Sequence, residues 1–489
     1  MKPVAIIGAG PAGLACAQHL VAGGRRVVLV DDNDRPGGQY FRQLPDSFRL
    51  RNDALMRDQR RAESLLATIK HPLVEWRPGT TAWMAPEPCT IAFAGENGSG
   101  RVVADAIVVA TGAHDRPLPL EGWTLPGVMS AGGALNLAKG QGLVPEGRVV
   151  VIGNGPLLLV VAATLAAGGA NVTDVIEAAS ARRALPALPG LAWSPKLLAK
   201  GLGYLMRLRR GGVRLRSGWM ASRVLGDRHV SGVQINRIGV DGRAVGHPLD
   251  IEADAVVLGY GLQPSTELTR HLGCLHHFDR RLGGWIPERG ENLETSVFGV
   301  FAAGDCAGIG GVELALAEGT LVAQQILAEH PRSSAESTFA GGDRVGQKPA
   351  SASLGMRRRL RHLNRFRNAL NVAYALPRPL RPAGPEVIVC RCEEITLSTL
   401  EDAAKCAGDD LSAIKGATRL GMGRCQGRNC LSACADLLGS DELPLDLPRA
   451  RPPLRPIPIR WLLEEPLGPP HPPDEAELFD VEAPPPQQQ

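Results

Sequence analysis

Residues 4–32 read VAIIGAGPAGLACAQHLVAGGRRVVLVDD, and this stretch decides the fold of the chain. An apolar segment at Val4–Ile7 predicts a strand, GAGPAG follows at 8–13, and a helical pattern comes next. A second apolar segment at Val27–Val30 ends at Asp31. A strand, a glycine-rich turn, a helix and a second strand that ends in an acid are typical of a dinucleotide-binding β-α-β unit.

Each glycine of this turn has its own physical role. Gly8 permits the tight turn, Gly10 lets the backbone approach a pyrophosphate, and Gly13 lets the helix pack closely on the strand. The helix N-terminus offers N–H groups and the positive end of its dipole to the phosphates. Asp31 stands where it can accept a ribose hydroxyl. We therefore predict a bound nucleotide; the alternative is a glycine turn in an unrelated α/β fold.

A second copy of the unit begins with an apolar strand at Val149–Ile152. Gly153 and Gly155 match the fingerprint, but Leu158 stands where the third glycine should be. We expect this bulky side chain to push the helix away from the strand and to weaken the pyrophosphate site. Glu177 ends the following strand and would favour NAD(H) over NADP(H), since an acid there accepts the ribose 2′-OH. A working NAD site and a structural remnant both stay open, and the remnant is the preferred interpretation.

Two other strand ends favour FAD at the first turn. Thr111 and Gly112 follow one apolar strand, and Gly304 and Asp305 follow another. These segments resemble flavoproteins that contain two dinucleotide-binding domains, and the FAD assignment rests on that resemblance. The repeated glycine turn predicts an α/β fold in which an NAD-like domain is inserted within a Rossmann-like FAD domain, and a small C-terminal domain follows them. In such proteins the acid corresponding to Asp305 holds a ribityl hydroxyl.

Four cysteines near the C-terminus form a C-x-C pair, Cys390 and Cys392, and a C-x4-C pair, Cys425 and Cys430. Four thiolates gathered from two tight clusters are what a [2Fe–2S] centre needs. Zinc is the alternative for any set of four cysteines, although zinc sites usually space each pair C-x2-4-C. The sequence therefore predicts a [2Fe–2S] domain in this region.

The other cysteines receive lesser roles. Cys434 lies one helical turn after Cys430 and could compete as a ligand, whereas Cys406 and Cys306 are expected to pack in the interior. No C-x-x-C or C-x4-C follows either glycine turn, which argues against a redox disulfide coupled to the flavin.

Composition limits the function and the compartment. The chain has 489 residues and a net charge of +4, too small to indicate nucleic-acid binding. Its ten cysteines are scattered through a long chain rather than forming a secreted disulfide framework, so a reducing cytosol is expected. No run of 18 apolar residues exists. We expect a cytoplasmic protein that associates with the inner face of the membrane only through partners.

Five parts follow from these patterns. We predict an FAD-binding domain (1–120 and 285–330), an inserted NAD(P)-like domain (121–284), a linker (331–385), a [2Fe–2S] domain (386–440, hereafter the cysteine module) and a proline-rich tail (441–489) with a disordered end. The linker contains a basic run from Arg357 to Arg367 with apolar residues near helical spacing. This helix either presents a solvated charged face, the preferred interpretation, or docks on a partner protein.

The order of these parts resembles one group of proteins. Two glycine turns, the four cysteines and a tail that reads RPPLRPIP at 451–458 resemble the FAD-binding α (A) subunits of heteromeric amino-acid dehydrogenases. That group includes the opine oxidase A chain, D-hydroxyproline dehydrogenase α and the hydrogen cyanide synthase B chain. The resemblance covers about residues 1–460, the cysteine set is its most specific part, and it implies that the cysteine module is a bacterioferritin-associated-ferredoxin-like [2Fe–2S] domain.

The resemblance also implies a function. In that group a β subunit with its own FAD oxidises a C–N bond of an amino acid, imino acid (such as D-hydroxyproline) or opine. The α subunit passes electrons through flavin and [2Fe–2S] to a quinone or other carrier. We predict no catalytic residue here, because His114 is more typical of a structural histidine than of a base. The expected partners are the FAD-containing β subunit, the carrier and a small third subunit; an FMN at an interface between subunits is left open.

Two other functions remain as alternatives. A self-contained NADH-dependent FAD/[2Fe–2S] reductase would need the second glycine turn to bind NADH despite Leu158. A non-enzymatic iron–sulfur interaction protein would hold its nucleotide for structural reasons alone. The resemblance assigns the substrate pocket to a partner.

Overall fold

The computed structural model describes residues 1–45, 60, 62–180, 185–239, 244–329, 354–375, 384–439 and 444–463. The end of the proline-rich tail and residues 331–353 of the predicted linker lie outside these ranges. No helix in the described ranges combines the length and the apolar character needed to cross a bilayer.

The elements up to residue 180 form the first fold and begin the second. They are β1 (Val4–Ile7), α1 (Pro11–Ala22), β2 (Val27–Val30), α2 (Glu63–Leu66), β3 (Val74–Arg77), β4 (Thr80–Met84), β5 (Thr90–Gly95), β6 (Gly98–Val103), β7 (Ala106–Val109), β8 (Ala113–Asp115), β9 (Val128–Ser130), α3 (Ala131–Gln141), β10 (Arg148–Gly153), α4 (Leu157–Ala167) and β11 (Asn171–Glu177).

The next elements complete both folds. They are α5 (Leu188–Ala192), α6 (Pro195–Arg210), β12 (Arg214–Ser217), β13 (Trp219–Gly226), β14 (Val230–Ile238), β15 (Ala244–Glu252), β16 (Ala255–Gly259), β17 (Leu262–Pro264), α7 (Glu267–His271), β18 (His276–Asp279), β19 (Gly284–Pro287), β20 (Val300–Ala302) and α8 (Val312–Glu329). The C-terminal elements are α9 (Leu354–Ala373), β21 (Ile388–Cys390), β22 (Ile395–Thr396), α10 (Leu397–Ala407), α11 (Leu411–Thr418), α12 (Leu431–Leu438) and α13 (Arg460–Leu463).

The first fold is a parallel sheet with the order β20-β7-β1-β2-β3. Its central strands are buried on both sides, as apolar strands of parallel sheets are. Helices α1 and α8 pack together, and a Cβ on Gly319 would lie 2.1 Å from the carbonyl oxygen of Ala12. The antiparallel sheet β4-β5-β6 supplies Ile91 and Phe93 to the core on the other side. Because β20 comes late in the chain, the second sheet is inserted within the first fold.

The second fold repeats this plan with the order β12-β11-β10-β16-β9, again parallel throughout. Helices α3 and α4 bury apolar side chains against it, among them Ala134, Leu158 and Val161. The antiparallel sheet β13-β14-β15 contributes Val233 and Ile235 to the core beside Val150 and Ile152. The structure therefore confirms two dinucleotide-type folds in one chain.

The cysteine module forms a small core of its own. A β21–β22 hairpin and helices α10, α11 and α12 enclose Leu400, Leu411 and Ile414. Thr396 caps α10 by accepting from the Thr399 N–H, and Asp410 caps α11 in the same way from Ser412. The tail then returns to the first fold.

Local elements fall close to their predicted positions. Strands β1 and β2 have the predicted bounds, and the strand predicted at Val149–Ile152 is one residue longer at each end. The basic helix predicted around residues 357–367 is confirmed as part of α9. One expectation is wrong: Cys406 is exposed, because it lies on the outer face of α10 rather than in the core. The domain boundaries themselves stay a prediction.

Candidate functional site

The first glycine turn has the shape that a pyrophosphate needs. Gly8 has φ +110°, and a Cβ there would lie 2.3 Å from the carbonyl oxygen of Ala110. A Cβ on Gly13 would lie 1.9 Å from the carbonyl oxygen of Gly8. In front of Gly10, by contrast, a Cβ would meet nothing within 4 Å. Gly8 and Gly13 therefore serve close backbone packing, while Gly10 leaves open space ahead of the N-terminus of α1.

Asp31 is tied to this turn. Its carboxylate is 7% exposed and accepts hydrogen bonds from the Ala9 N–H (2.6 Å) and from the N–H and side-chain amide of Asn33 (2.8 and 2.7 Å). Asp31 also lines the cavity that opens in front of the turn. The ribose-binding position predicted for this acid is therefore available at the turn.

The two other predicted FAD segments face the same cavity. Thr111 Oγ1 donates to the carbonyl oxygen of Ser265 (2.9 Å), and the Ser265 N–H donates to that of Gly112 (3.0 Å). Asp305 accepts from the backbone N–H groups of Gly310 and Gly311 at 2.8 and 3.0 Å. Burial raises the pKa of its carboxyl group.

From the sequence, no role was predicted for Glu318, whose side chain hydrogen-bonds the Gly304–Asp305 turn. This buried carboxylate on α8 accepts from the Gly304 N–H (2.7 Å) and pairs with Arg289 (3.1 Å). An acid within an apolar helix was the available signal, because a buried charge needs a partner.

One cavity of about 1770 Å³ joins the two glycine turns. It is lined by Gly10 and Asp31 at one end and by Gly155 and Glu177 at the other, with Thr111 among the residues between. Sites for drug-sized molecules occupy roughly 300–1,000 Å³. The cavity is therefore large enough for an extended dinucleotide.

Leu158 was expected to push its helix away from the strand, but its side chain is accommodated in the core. It is 1% exposed and packs in the core of the second fold. A Cβ on Gly259 of the neighbouring strand β16 would lie 2.8 Å from Leu158 Cδ2. Gly259, which has no side chain, leaves space on the neighbouring strand for the side chain of Leu158. Leu158 therefore packs in the core without entering the second glycine turn.

The second turn is instead contacted by the chain itself. Asn154 Nδ2 donates to the carbonyl oxygen of Tyr374 (2.6 Å), which follows α9. Glu177 accepts from the N–H of Gly155 (3.0 Å) and of Ala179 (3.4 Å). Burial raises the pKa of Glu177 to about 8. Burial also raises the pKa of Tyr374 to about 12, and the charge of Glu177 adds to that shift.

The four predicted cluster cysteines come together. Hydrogen bonds between side chains link Cys430 with Cys390 and with Cys425, and Cys425 with Cys392. The bond from Cys430 is the largest cause that lowers the pKa of Cys390 to about 6 and of Cys425 to about 5. The same two bonds raise the pKa of Cys430, and burial raises that of Cys392. The four thiols thus form one connected set.

Backbone N–H groups converge on two of these sulfurs. Cys390 receives hydrogen bonds from the backbone of Glu393, Gly421 and Cys392. Cys425 receives them from Asn429 and Gly427. Nevertheless, the described ranges contain no group of three or more histidine, cysteine, aspartate or glutamate side chains arranged to hold a metal ion. The structure supplies the donor atoms and their N–H partners without a closed coordination geometry.

The remaining cysteines near this set are placed differently. Cys434 is fully buried in the core of the cysteine module, and burial raises the pKa of its thiol. Cys306 is also fully buried, and its thiol donates to the carbonyl oxygens of Val109 (3.2 Å) and Ala303 (3.3 Å).

The loop between Cys425 and Cys430 rests on the first fold. The carbonyl oxygen of Arg428 accepts from the side-chain amide of Gln263 (2.6 Å) and lies 3.1 Å from His114 Nε2. Strand β8, which carries His114, follows the Thr111–Gly112 segment directly. The Arg428 guanidinium pairs with Glu267 (3.2 Å). The cysteine loop is therefore held beside a segment predicted to bind flavin.

His114 itself is enclosed in this contact. Its Nδ1 lies 3.2 Å from Ser265 Oγ, and its Nε2 lies 2.7 Å from the amide nitrogen of Gln263. Burial is the main cause that lowers its pKa. The ring is held by neighbours on both sides, which suits a positioning role.

A second contact holds the cysteine module in place. Asp436 on α12 pairs with Arg116 (2.8 Å), which follows β8, and with Arg280 (3.0 Å), which lies between β18 and β19. Trp123 Nε1 donates to the carbonyl oxygen of Ile388 (2.7 Å), and Arg391 lies 5.1 Å from the centre of the Trp123 ring. No local sequence pattern marked these residues, because their partners lie hundreds of positions away.

Fold and site together define a flavoprotein with two dinucleotide-binding folds. A family model described as pyridine nucleotide-disulphide oxidoreductase matches residues 2–319. The opine oxidase A chain of Agrobacterium tumefaciens is 33% identical over 480 residues, which span 94% of this chain and 91% of that protein. Hydrogen cyanide synthase subunit HcnB of Pseudomonas protegens is 30% identical over 475 residues, 94% of this chain and 97% of that protein.

The chain therefore belongs to the pyridine nucleotide-disulphide oxidoreductase family, and within it to the group of the opine oxidase A chains and HcnB. It is an oxidoreductase of a flavoprotein family. A crystal structure of L-proline dehydrogenase from P. horikoshii resembles it in fold, with a TM-score of 0.64 and 22% identity over 94% of this chain and 79% of that one.

Proposed function

We propose that this chain is the electron-transfer component of a heteromeric dehydrogenase that oxidises an amino acid, imino acid or opine. A partner protein with its own FAD removes hydride from the substrate. This chain accepts the electrons at FAD in the first fold and passes them through a [2Fe–2S] cluster to a quinone or other carrier. Its relatives are named as single subunits of an oxidase and of a synthase, which supports the need for partners.

The first glycine turn supports FAD as its ligand. Gly10 leaves room for a pyrophosphate, and Asp31 is positioned for a ribose. Thr111 and Asp305 line the same cavity, whose volume of about 1770 Å³ is large enough for a dinucleotide. The positive φ angles of Gly8, Gly112 and Gly304 shape the backbone around them.

Four connected thiols support a cluster as the second cofactor. Cys390, Cys392, Cys425 and Cys430 would hold the irons after losing their protons, as metal ligands must. N–H groups directed at sulfur are a feature by which proteins tune iron–sulfur potentials. A flavin takes electrons in pairs and releases them singly, and a two-iron cluster carries one at a time.

The contact at Arg428 is the observation that carries the proposal. It ties the loop between two cluster ligands to Gln263, beside the segment that follows the flavin-binding strand. A rigid hydrogen-bonded contact fixes the separation of two redox groups. The Asp436 pairs with Arg116 and Arg280 give the cysteine module a second point of attachment.

We propose that electrons do not enter from NADH. At the second turn the side-chain amide of Asn154 donates to the carbonyl oxygen of Tyr374, so the segment after α9 already occupies a group beside the turn. Gly153, Gly155 and Glu177 are then remnants of an NAD site rather than a working one. Anaerobic mixing with NADH tests this: the flavin of the isolated chain should stay oxidised, and prompt bleaching would favour a self-contained reductase.

The main experiment is cofactor analysis of the chain purified with its partner. For each pair of this chain and its partner we expect two FAD, one in each, together with two irons and two acid-labile sulfides, and we expect no oxidation of opines or hydroxyproline by the isolated chain. Cys425→Ser should lose the iron and sulfide, whereas Cys406→Ser, an exposed cysteine of the same module, should retain both. Stoichiometric zinc without iron or sulfide, or substrate turnover by the chain alone, would contradict the proposal.

A further inference from the structure

The RPPLRPIP segment of the tail contacts both proposed cofactor sites through two adjacent residues. Leu454 is 6% exposed and packs in the core of the first fold. Its N–H donates to the carbonyl oxygen of Trp83 (3.0 Å), and its carbonyl oxygen accepts from the Arg428 guanidinium (2.9 Å). The backbone at this point is therefore fixed from both sides.

Because the backbone is held in place at Leu454, the next residue, Arg455, lies at the ribose-binding end of the first glycine turn. Its side chain is 35% exposed, lines the large cavity and forms an ion pair with Asp32. Asp32 directly follows Asp31, whose negative charge also acts on the guanidinium. The strand end that supplies the ribose-binding acid is thus faced by an arginine from the other end of the chain.

The chemistry of the guanidinium suits a nucleotide there. Arginine has five N–H donors in a planar group, and the ion pair with Asp32 engages one of its terminal nitrogens. The planar face can stack on an aromatic base, and the remaining donors can reach hydroxyl or ring-nitrogen acceptors. In dinucleotide folds the base and its ribose lie beside the acid that ends the second strand, which here is Asp31.

We infer that Arg455 closes the adenosine end of the first nucleotide site and contacts the adenine–ribose half of its ligand directly. This inference rests on the proposal that the first site holds FAD. It assigns a binding role to a tail segment that lies more than 400 residues from the glycine turn in sequence. Asp32 then orients the guanidinium rather than binding the nucleotide.

FAD binding to the flavin-free full-length chain tests the inference. Arg455→Ala should raise the Kd for FAD by about tenfold, as expected for a lost contact with a charged donor. The inhibition constant of ADP as a competitor of FAD should rise by a similar factor, because ADP carries the adenosine half only. Arg455→Lys should restore part of the affinity. Arg451→Ala, an exposed arginine of the same segment, is the matched control and should leave both constants unchanged.

The absorption spectrum of FAD at saturation and the Tm of the flavin-free chain distinguish direct contact from loosening of the tail. Both should match wild type in Arg455→Ala, whereas Leu454→Ala should lower the Tm by removing a buried side chain. Unchanged FAD and ADP constants in Arg455→Ala would overturn the inference, and so would a weaker FAD affinity with an unchanged ADP constant. If the wild-type chain binds no FAD, that result would instead contradict the proposed function.

Discussion

The side-chain amide of Gln263 lies 2.6 Å from the carbonyl oxygen of Arg428, although 165 residues separate them in sequence. Gln263 is 4% exposed and belongs to β17, which pairs with β8 of the first fold. Arg428 lies between Cys425 and Cys430. This hydrogen bond is therefore one of the contacts that hold the cysteine loop against the flavoprotein fold.

Removing this bond should weaken the contact. In Gln263→Ala the Arg428 carbonyl oxygen loses a buried donor, so we expect a loss of about 1–3 kcal/mol in unfolding free energy. If the proposed cluster is present, its reduction by flavin should slow, measured by stopped-flow absorbance. The control is Gln141→Ala, an exposed glutamine at the end of α3, which should behave as wild type. An unchanged electron-transfer rate in Gln263→Ala would show that this contact does not contribute to electron transfer.

The ion pairs of Asp436 make a second prediction. Asp436→Asn leaves Arg116 and Arg280 close together without their anion. Because these side chains are about 27–32% exposed, solvent screening limits the loss to about 1–2 kcal/mol. Limited proteolysis should release the cysteine module sooner. Asp402→Asn, which breaks an exposed pair with Lys405, should have little effect.

Gly423 should be required for cluster assembly. A Cβ at this position would lie 2.3 Å from Cys392 Cβ, so Gly423→Ala must displace a proposed ligand. We expect a clear fall in iron and acid-labile sulfide per chain. Gly416→Ala is the matched control, since its Cβ would meet nothing within 4 Å and alanine favours the helix α11 by about 0.5–1 kcal/mol. Full iron content in Gly423→Ala would argue against Cys392 as a ligand.

The pH dependence of stability should contain a contribution from Glu177. Its pKa is raised to about 8 from an ordinary value of 4.5, so the folded state holds a proton that the unfolded state releases between these values. Stability from this group therefore falls as pH rises from 4.5 to 8 and levels off above, by at most about 5 kcal/mol. Glu177→Gln should remove that slope in denaturant titrations at several pH values. Glu146→Gln, at an exposed position, should keep it.

Leu158 and Gly259 should be energetically coupled. Gly259→Ala places a Cβ 2.8 Å from Leu158 Cδ2 and should cost about 1–3 kcal/mol through overpacking. Leu158→Ala should cost about 2–5 kcal/mol because it leaves a cavity. In the double variant the new methyl group fills part of that cavity, so its loss should be smaller than the sum of the two. Simple additivity would show that the two residues do not compensate each other.

Much of the fold could be predicted from short segments. The strands at Val4–Ile7 and Val27–Val30 are apolar runs beside glycines, and both were found with the predicted bounds. Helix α10 begins at Leu397, because the side chain of Thr396 caps it. Cys406 was misjudged because a single cysteine gives no indication of which face of its helix it occupies.

The residues that position the site could not be predicted in this way. Gln263 and Arg428, Arg116 and Asp436, and Arg455 and Asp32 are separated by 165, 320 and 423 positions. Each partner is an ordinary polar residue in its own segment. Only the folded chain makes these pairs neighbours.

By itself the sequence determined two dinucleotide folds and a set of four neighbouring cysteines. These depend on glycine geometry, on strand and helix periodicity and on spacing within a few residues, all of which are local. The tertiary structure alone decided that Leu158 fits against Gly259, that the tail returns to Asp32 and that the cysteine loop rests on Gln263. The physical reason is that steric fit and ion pairing depend on distance in space, which distant segments acquire only when the sheets and helices pack.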